Sequence, residues 1–193
     1  SNSGCERFPL ASIESLVLEL SEVTENPSFG LDIGEFIHPS DYGIFGYTMM
    51  NCSTLAEASK LVVDFGSLLN QSFSVTLPES KGDMYFQLED NSQTPASRIL
   101  LELYLSSVVQ LGRFLAGPEM YEDVILSEVH FQHSPLADLR KYERIFKCPV
   151  KFEQDKNQII VSRNILAKPI RSASPKMLSM LLDKLTRLND DVN

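Results

Sequence analysis

Ser53-Thr54-Leu55-Ala56-Glu57 and Ser134-Pro135-Leu136-Ala137-Asp138 are the two stretches whose reading decides the fold. Each sets a hydroxyl residue before Leu-Ala and an acidic residue, the pattern of a helix start. The 81-residue offset between them also carries Lys60 onto Lys141 and Phe65 onto Phe146. Beyond these segments the register shortens by about six. Val75-Thr76-Leu77 then falls on Val150-Lys151-Phe152, and Met84-Tyr85-Phe86 on Ile159-Ile160-Val161. A strand-like run precedes each copy, Phe45 to Met50 and Ser127 to Phe131. The pattern predicts an α+β fold: two pseudo-repeated β-α-β-β units forming one domain, with an N-terminal helix and a C-terminal leucine-rich helix.

Working outward, Ile13, Leu16, Val17, Leu20 and Val23 keep helical spacing until Asn26-Pro27. Phe29 to Ile37 reads equally as a short helix or a short strand, and His38 to Gly43 as a turn. Ile44 to Met50 is the first predicted strand. Thr54 and Glu57 have capping-box spacing for the next helix, whose apolar stripe is Leu55, Ala58, Leu61, Phe65 and Leu68. Strands are predicted at Phe73 to Leu77 and Met84 to Leu88, joined through Ser80-Lys81-Gly82-Asp83.

Thr94-Pro95 opens the longest helix, which is expected to be the most buried. Its Ser106, Ser107 and Gly112 are small enough to admit a neighbour, and Gly117-Pro118 stops it. In the second unit Ile125 to Phe131 is a strand, Ser134 caps a helix and Cys148-Pro149 ends it. Val150 to Glu153 and Gln158 to Ser162 form a predicted hairpin. A linker from Lys168 to Pro175 leads to a last helix bearing Leu178, Leu181, Leu185 and Leu188 in alternating three and four spacing. That helix either docks on its own domain or forms a dimer contact or lever.

The 193 residues carry a net charge of −9, which argues against the chain gripping phosphate backbones by itself. No continuous apolar run approaches a membrane span. Cys5, Cys52 and Cys148 are odd in number and widely spaced, giving neither a disulfide framework nor a zinc pattern and pointing to a reducing, cytoplasmic setting. The histidines, His38, His130 and His133, have no metal-ligand partners at the right spacing. There is no nucleophile elbow or phosphate loop, and no carboxylate pair stands out, so no enzyme, metal or cofactor is predicted. Cys52, just before a helix, reads as a small buried residue. Tyr47, Met49, Tyr85, Phe86 and His130 are the candidate lining of an effector pocket between sheet and helices.

The run from His38 to Tyr47 followed by Ser53 to Ala58 resembles the N-terminal arabinose-binding-type domain of AraC-type transcription regulators. So do Val129-His130-Phe131 with Ser134-Pro135, then Tyr142 and Phe146, Cys148 to Phe152, Asn157, and Leu166 to Ile170. Cys148 departs from the pattern, standing where a glycine is commoner. The resemblance implies a bacterial regulator whose N-terminal half, residues 1–170, senses a small molecule of unknown identity or dimerises. Residues 171–193 would be the linker and terminal helix leading to an absent helix-turn-helix domain, through which alone DNA would be bound. The expected partners are the effector and a second copy of the chain, with no membrane. Two alternatives stand beside this reading: a constitutive dimerisation module without effector, and a haem or gas sensor using His38, His130 or His133.

Overall fold

A computed structural model of the chain describes residues 10–68, 71–80, 82–117 and 126–190. The predicted positions Cys5, Lys81, Pro118 and Ile125 lie outside these residues. The chain opens with α1 (Leu10–Val23), α2 (Phe29–Phe36), a 3-10 turn at Pro39–Tyr42, α3 (Gly43–Asn51) and α4 (Leu55–Phe65). Three strands follow, β1 (Phe73–Thr76), β2 (Glu79–Ser80) and β3 (Asp83–Asp90), then α5 (Ser97–Ala116). The second half holds β4 (Leu126–His130), α6 (Leu139–Phe146), β5 (Val150–Lys151), β6 (Asn157–Ser162), α7 (Arg163–Leu166) and α8 (Pro175–Asp190).

The strands form one sheet in the order β1-β3-β6-β4-β5, with β2 also on β3. Every pairing is antiparallel except β4 with β5. The mixed sheet and helices fit the α+β class. Met84, Phe86 and Leu88 alternate inward along β3, as a half-buried strand requires. The register sets Met84 against Val161 and Phe86 against Ile159, so these four share the inner face with Leu126 and Val129 of β4.

The repeat is not what builds this sheet. Phe45 to Met50, predicted as a strand, lies within α3. Phe45, Met49 and Cys52 are buried at helical spacing, and Thr48 Oγ1 donates to Ile44 O at 2.7 Å. The 3-10 turn feeds straight into this helix, and a Cβ on Gly46 would lie 1.7 Å from Pro39 O, so the two elements touch through a glycine. Ser134-Pro135 does not start α6 either. Asp138 is the N-cap, its Oδ1 accepting from Arg140 N at 2.9 Å, while the Leu136 amide donates to the Tyr142 hydroxyl. Leu55 therefore begins a helix and Leu136 does not. The predicted hairpin is also replaced: β5 runs parallel to β4, and β6 inserts between β3 and β4. The first predicted unit thus has helix α3 in place of its opening strand and three strands after α4, and only the second is β-α-β-β.

Other local readings hold. Thr54 Oγ1 accepts from Glu57 N at 3.2 Å, while the Glu57 carboxylate turns back to Ser53 N at 2.5 Å, one residue before the cap. Gly117 adopts φ +86° and ends α5. Lys147, at φ +55°, takes the left-handed position that closes α6, so the turn is made one residue before Cys148.

Helix α5 is the spine of the molecule, packed by α1, α2, α4 and α6. It is long and apolar enough to cross a membrane by length and composition. In this fold most of it is buried in protein, and it carries two buried charged residues, Glu102 and Arg113. Arg113 Nη1 and Nη2 donate to Ile145 O at 2.7 Å and Phe146 O at 2.9 Å, capping the C-terminus of α6. Arg113→Met keeps the aliphatic stem but strips both carbonyls of these donors. It is expected to cost about 3 kcal/mol in a urea melt, the scale of lost charged hydrogen bonds in a buried site.

Candidate functional site

A cavity of about 90 Å³ lies between the inner face of the sheet and helices α4 and α5. Ala58 and Val62 of α4, Val109 and Gly112 of α5, and Phe86 and Ile159 of the sheet form its main walls. Met49 closes it from α3, and Met84 and Leu166 close it on another side. Its one hydroxyl, Ser59 Oγ, already donates to Leu55 O at 2.9 Å. Whatever part of a molecule enters must therefore be apolar, because a polar group would lose water without gaining a partner.

Two predicted pocket residues, Met49 and Phe86, line this cavity. Three do not. Tyr47 is half exposed on α3, its ring on another side of the helix from Met49. Tyr85 and His130 project from the outer face of the sheet, because adjacent strand residues point to opposite sides. There His130 Nε2 lies 2.7 Å from Glu128 Oε2, and Gln158 Nε2 lies 3.0 Å from His130 Nδ1. Gln87 Nε2 donates to Gln158 Oε1 at 3.0 Å, and Lys151 Nζ to Glu128 at 2.8 Å. This polar ladder ties the strands together. Helical periodicity over Phe45, Met49 and Cys52 was the signal that could have placed Met49 and its neighbours on a helix.

The other polar candidates are structural. His38 caps the 3-10 turn, accepting from Ser40 N at 3.2 Å, and stands edge-on to Phe114 at 4.4 Å. Burial pushes the Cys52 thiol up to about 12 and the Cys148 thiol to about 11, opposite to an activated nucleophile. No metal-binding group of three His, Cys, Asp or Glu exists among the described residues.

A feature with no sequence signal lies on the other side of α5. The Glu102 carboxyl is fully buried and accepts from the Tyr142 hydroxyl at 2.5 Å. Burial pushes it up to about 8, against the opposing pull of that hydrogen bond. His133 Nε2 lies 3.9 Å away, and burial holds its imidazole below the ordinary value. Phe131, Phe152 and Tyr142 pack their rings on one another, and Phe131 and Phe152 also meet the His133 ring. Nearby, Lys141 Nζ reaches Asp32 at 2.7 Å and Arg144 takes Glu35 with both guanidinium ends, clamping α6 to α2.

The terminal helix divides its leucines. Leu178 and Leu185 are buried and α8 packs on α3, whereas Leu181 is half-buried and Leu188 exposed, together with Met177 and Met180. The segment before α8 is laced to the α3–α4 junction. Leu55 N donates to Lys168 O at 3.2 Å, Ile170 N to Ser53 O at 3.0 Å, and Ser174 N to Asn51 O at 3.3 Å. Ser172 Oγ also donates to Met50 O at 2.5 Å.

The candidate site is thus an apolar cavity between the sheet and helices α4 and α5. Residues 3–170 match the family described as the arabinose-binding domain of AraC transcription regulators, N-terminal, and the chain belongs to that family. It is similar to the ornithine utilization regulator of Pseudomonas aeruginosa, 22% identical over 175 residues, covering 90% of this chain and 50% of the relative. It is also similar to uncharacterized HTH-type transcriptional regulators of Mycobacterium tuberculosis and Mycobacterium bovis, 23% identical over 167 residues, covering 84% of this chain and 48% of each relative. The crystal structure of the transcriptional regulator CdpR from Pseudomonas aeruginosa shares the fold, with a TM-score of 0.68 and 21% identity over 81% of this chain and 50% of that one. The chain thus spans about half the length of the relatives it matches.

Proposed function

We propose that this chain is the effector-sensing half of a bacterial transcription regulator, and that α8 passes the state of the cavity to a DNA-binding segment. One observation carries the proposal: the cavity and α8 share the α3–α4 junction. Met49 and Leu55, either side of that junction, line the cavity. The same junction is hydrogen-bonded to residues 168–174 and packs α8. A ligand that moves Met49 or Leu55 moves the support of α8. The switch is a population shift and needs different affinity for two arrangements. The family's name does not make arabinose the ligand, since a sugar's hydroxyls would find no partner in this interior. Ornithine, in the name of one relative, would carry a second ammonium into the same apolar space.

In the intact regulator the exposed Met180 and Leu188 on the outer side of α8 suit a second copy, so residues 1–170 sense and residues 171–193 connect and dimerise, in the cytoplasm. The cavity's small volume favours a second reading, a constitutive dimerisation module with no effector. A thermal-shift screen of amino acids, organic acids and sugars separates the two, run on this chain and on Gly112→Leu. A Cβ at Gly112 meets no atom within 4 Å, and the glycine borders the cavity, so a leucine is expected to occupy part of that space. The proposal predicts at least one compound that stabilises the parent chain and not the filled variant. Stabilisation of both alike, or of neither, contradicts it. A haem reading predicts visible absorption of the purified protein; His38, His130 and His133 each serve a separate local contact, which speaks against it.

A further inference from the structure

An open groove of about 590 Å³ adjoins the cavity, and Met84 and Leu166 line both. Met84 and Leu166 are the side chains common to the apolar interior and the groove, and methionine is the side chain that most readily gives way. The groove is lined by charges of both signs. Arg163 and Glu79 are paired to each other across it. Lys60 and Asp64, one turn apart on α4, are exposed and have neither ion pair nor hydrogen bond among the described residues. One ammonium and one carboxylate without a partner among the described residues therefore line the groove beside an apolar cavity.

Resting on the reading of the cavity as the effector site, we infer that the ligand is a free α-amino acid with a short branched aliphatic side chain. Its carboxylate meets Lys60, its ammonium meets Asp64, and its side chain passes Met84 and Leu166 into the cavity. A ligand with one net charge would satisfy one of these two groups and crowd the other with like charge, whereas a zwitterion matches both. Size selects the side chain. The cavity's volume of about 90 Å³ is well below the roughly 150 Å³ that admits benzene. A valine, leucine or isoleucine side chain suits it and an aromatic ring does not. The exposed head contacts contribute modestly, so most of the affinity comes from the buried side chain.

Calorimetric titration of this chain tests the assignment with leucine, alanine, 4-methylpentanoate, which lacks the ammonium, and isopentylamine, which lacks the carboxylate. Leucine is expected to bind at least about tenfold more tightly than alanine, from the buried methylenes. Each truncated analogue is expected to bind about threefold or more weakly than leucine. Lys60→Gln should erase the preference for leucine over isopentylamine, and Asp64→Asn the preference over 4-methylpentanoate. Both substitutions are on exposed positions and leave the fold intact. Analogues that bind as well as leucine, or preferences that survive both substitutions, overturn the assignment of the head group. Stabilisation by another compound, abolished in Gly112→Leu, with no binding of leucine, overturns the ligand class but leaves the sensing function standing. Absence of any ligand for the parent chain overturns both.

Discussion

Gly30→Ala is expected to destabilise the chain by about 2 kcal/mol, although alanine is the better helix former. A Cβ at Gly30 would lie 2.0 Å from Ile99 O and 3.0 Å from Leu103 N, both backbone atoms of the central helix α5. No rotamer relieves that contact; α2 must lift off α5. Helix propensity favours alanine by about 1 kcal/mol, while overpacking costs roughly 1–3 kcal/mol and sometimes more, so the clash wins. Gly34 is the milder case, because its nearest neighbour is the Ser106 hydroxyl at 1.7 Å, with Leu103 O at 2.9 Å. Gly34→Ala should be partly rescued by Ser106→Gly, and Gly30→Ala by no single side-chain change. Urea melts followed by circular dichroism check both, and a midpoint for Gly30→Ala equal to the parent's would show that α2 and α5 are not in close contact.

The stability of the chain should also decline as pH rises from about 4.5 to about 8, and Glu102→Gln should remove that decline. Burial raises the Glu102 carboxyl from 4.5 to about 8, so in this window the folded state holds a proton that the unfolded state has released. Its favourable contribution is complete below the unfolded value and lost as pH passes through the folded one. At about 1.4 kcal/mol per pH unit of difference, the whole effect is several kcal/mol at most. The surroundings temper it: Tyr142 and Lys141 favour the ionised form, and Asp32 opposes it. His133 works in the other direction at lower pH. Its folded value is depressed, so its contribution is lost as pH falls through the ordinary histidine range. The comparison between parent and Glu102→Gln melts at each pH cancels the groups remote from this carboxyl. Parallel pH profiles would refute the buried-acid account.

Periodicity made much of this fold legible. The stripes through Leu55 to Phe65 and Leu100 to Leu115 repeat at helical spacing, and β3 alternates in register with β6, so these elements stand where the sequence places them. Phe45 to Met50 was misleading because Phe45, Tyr47 and Met49 also alternate, and a six-residue apolar run fits either period. The apparent repeat failed for a related reason. Ser-x-Leu-Ala-acid is a helix-start pattern, but at Asp138 the carboxylate caps the helix itself, three residues later than the matching segment implies. The pairing of β5 with β4 could not be read locally, since it depends on where β6 inserts. Within the site, Met49 and Phe86 were legible as apolar residues of neighbouring elements. Tyr85 and His130 were not separable from them until the strand faces were known. Lys60 and Asp64 carry no sequence signal, and the role proposed for them rests on the groove that β2 and α7 build beside them.

Amide hydrogen exchange across residues 168–190, with and without leucine, tests most directly whether the cavity and the terminal helix are one device. In the parent chain, leucine should change protection at Ile170, Ser174 and the first turns of α8, which hang on the junction beside Met49 and Leu55. In Gly112→Leu the same amides should not respond. Leucine that binds and alters protection around α4 and β3 while leaving α8 as it was would contradict the account.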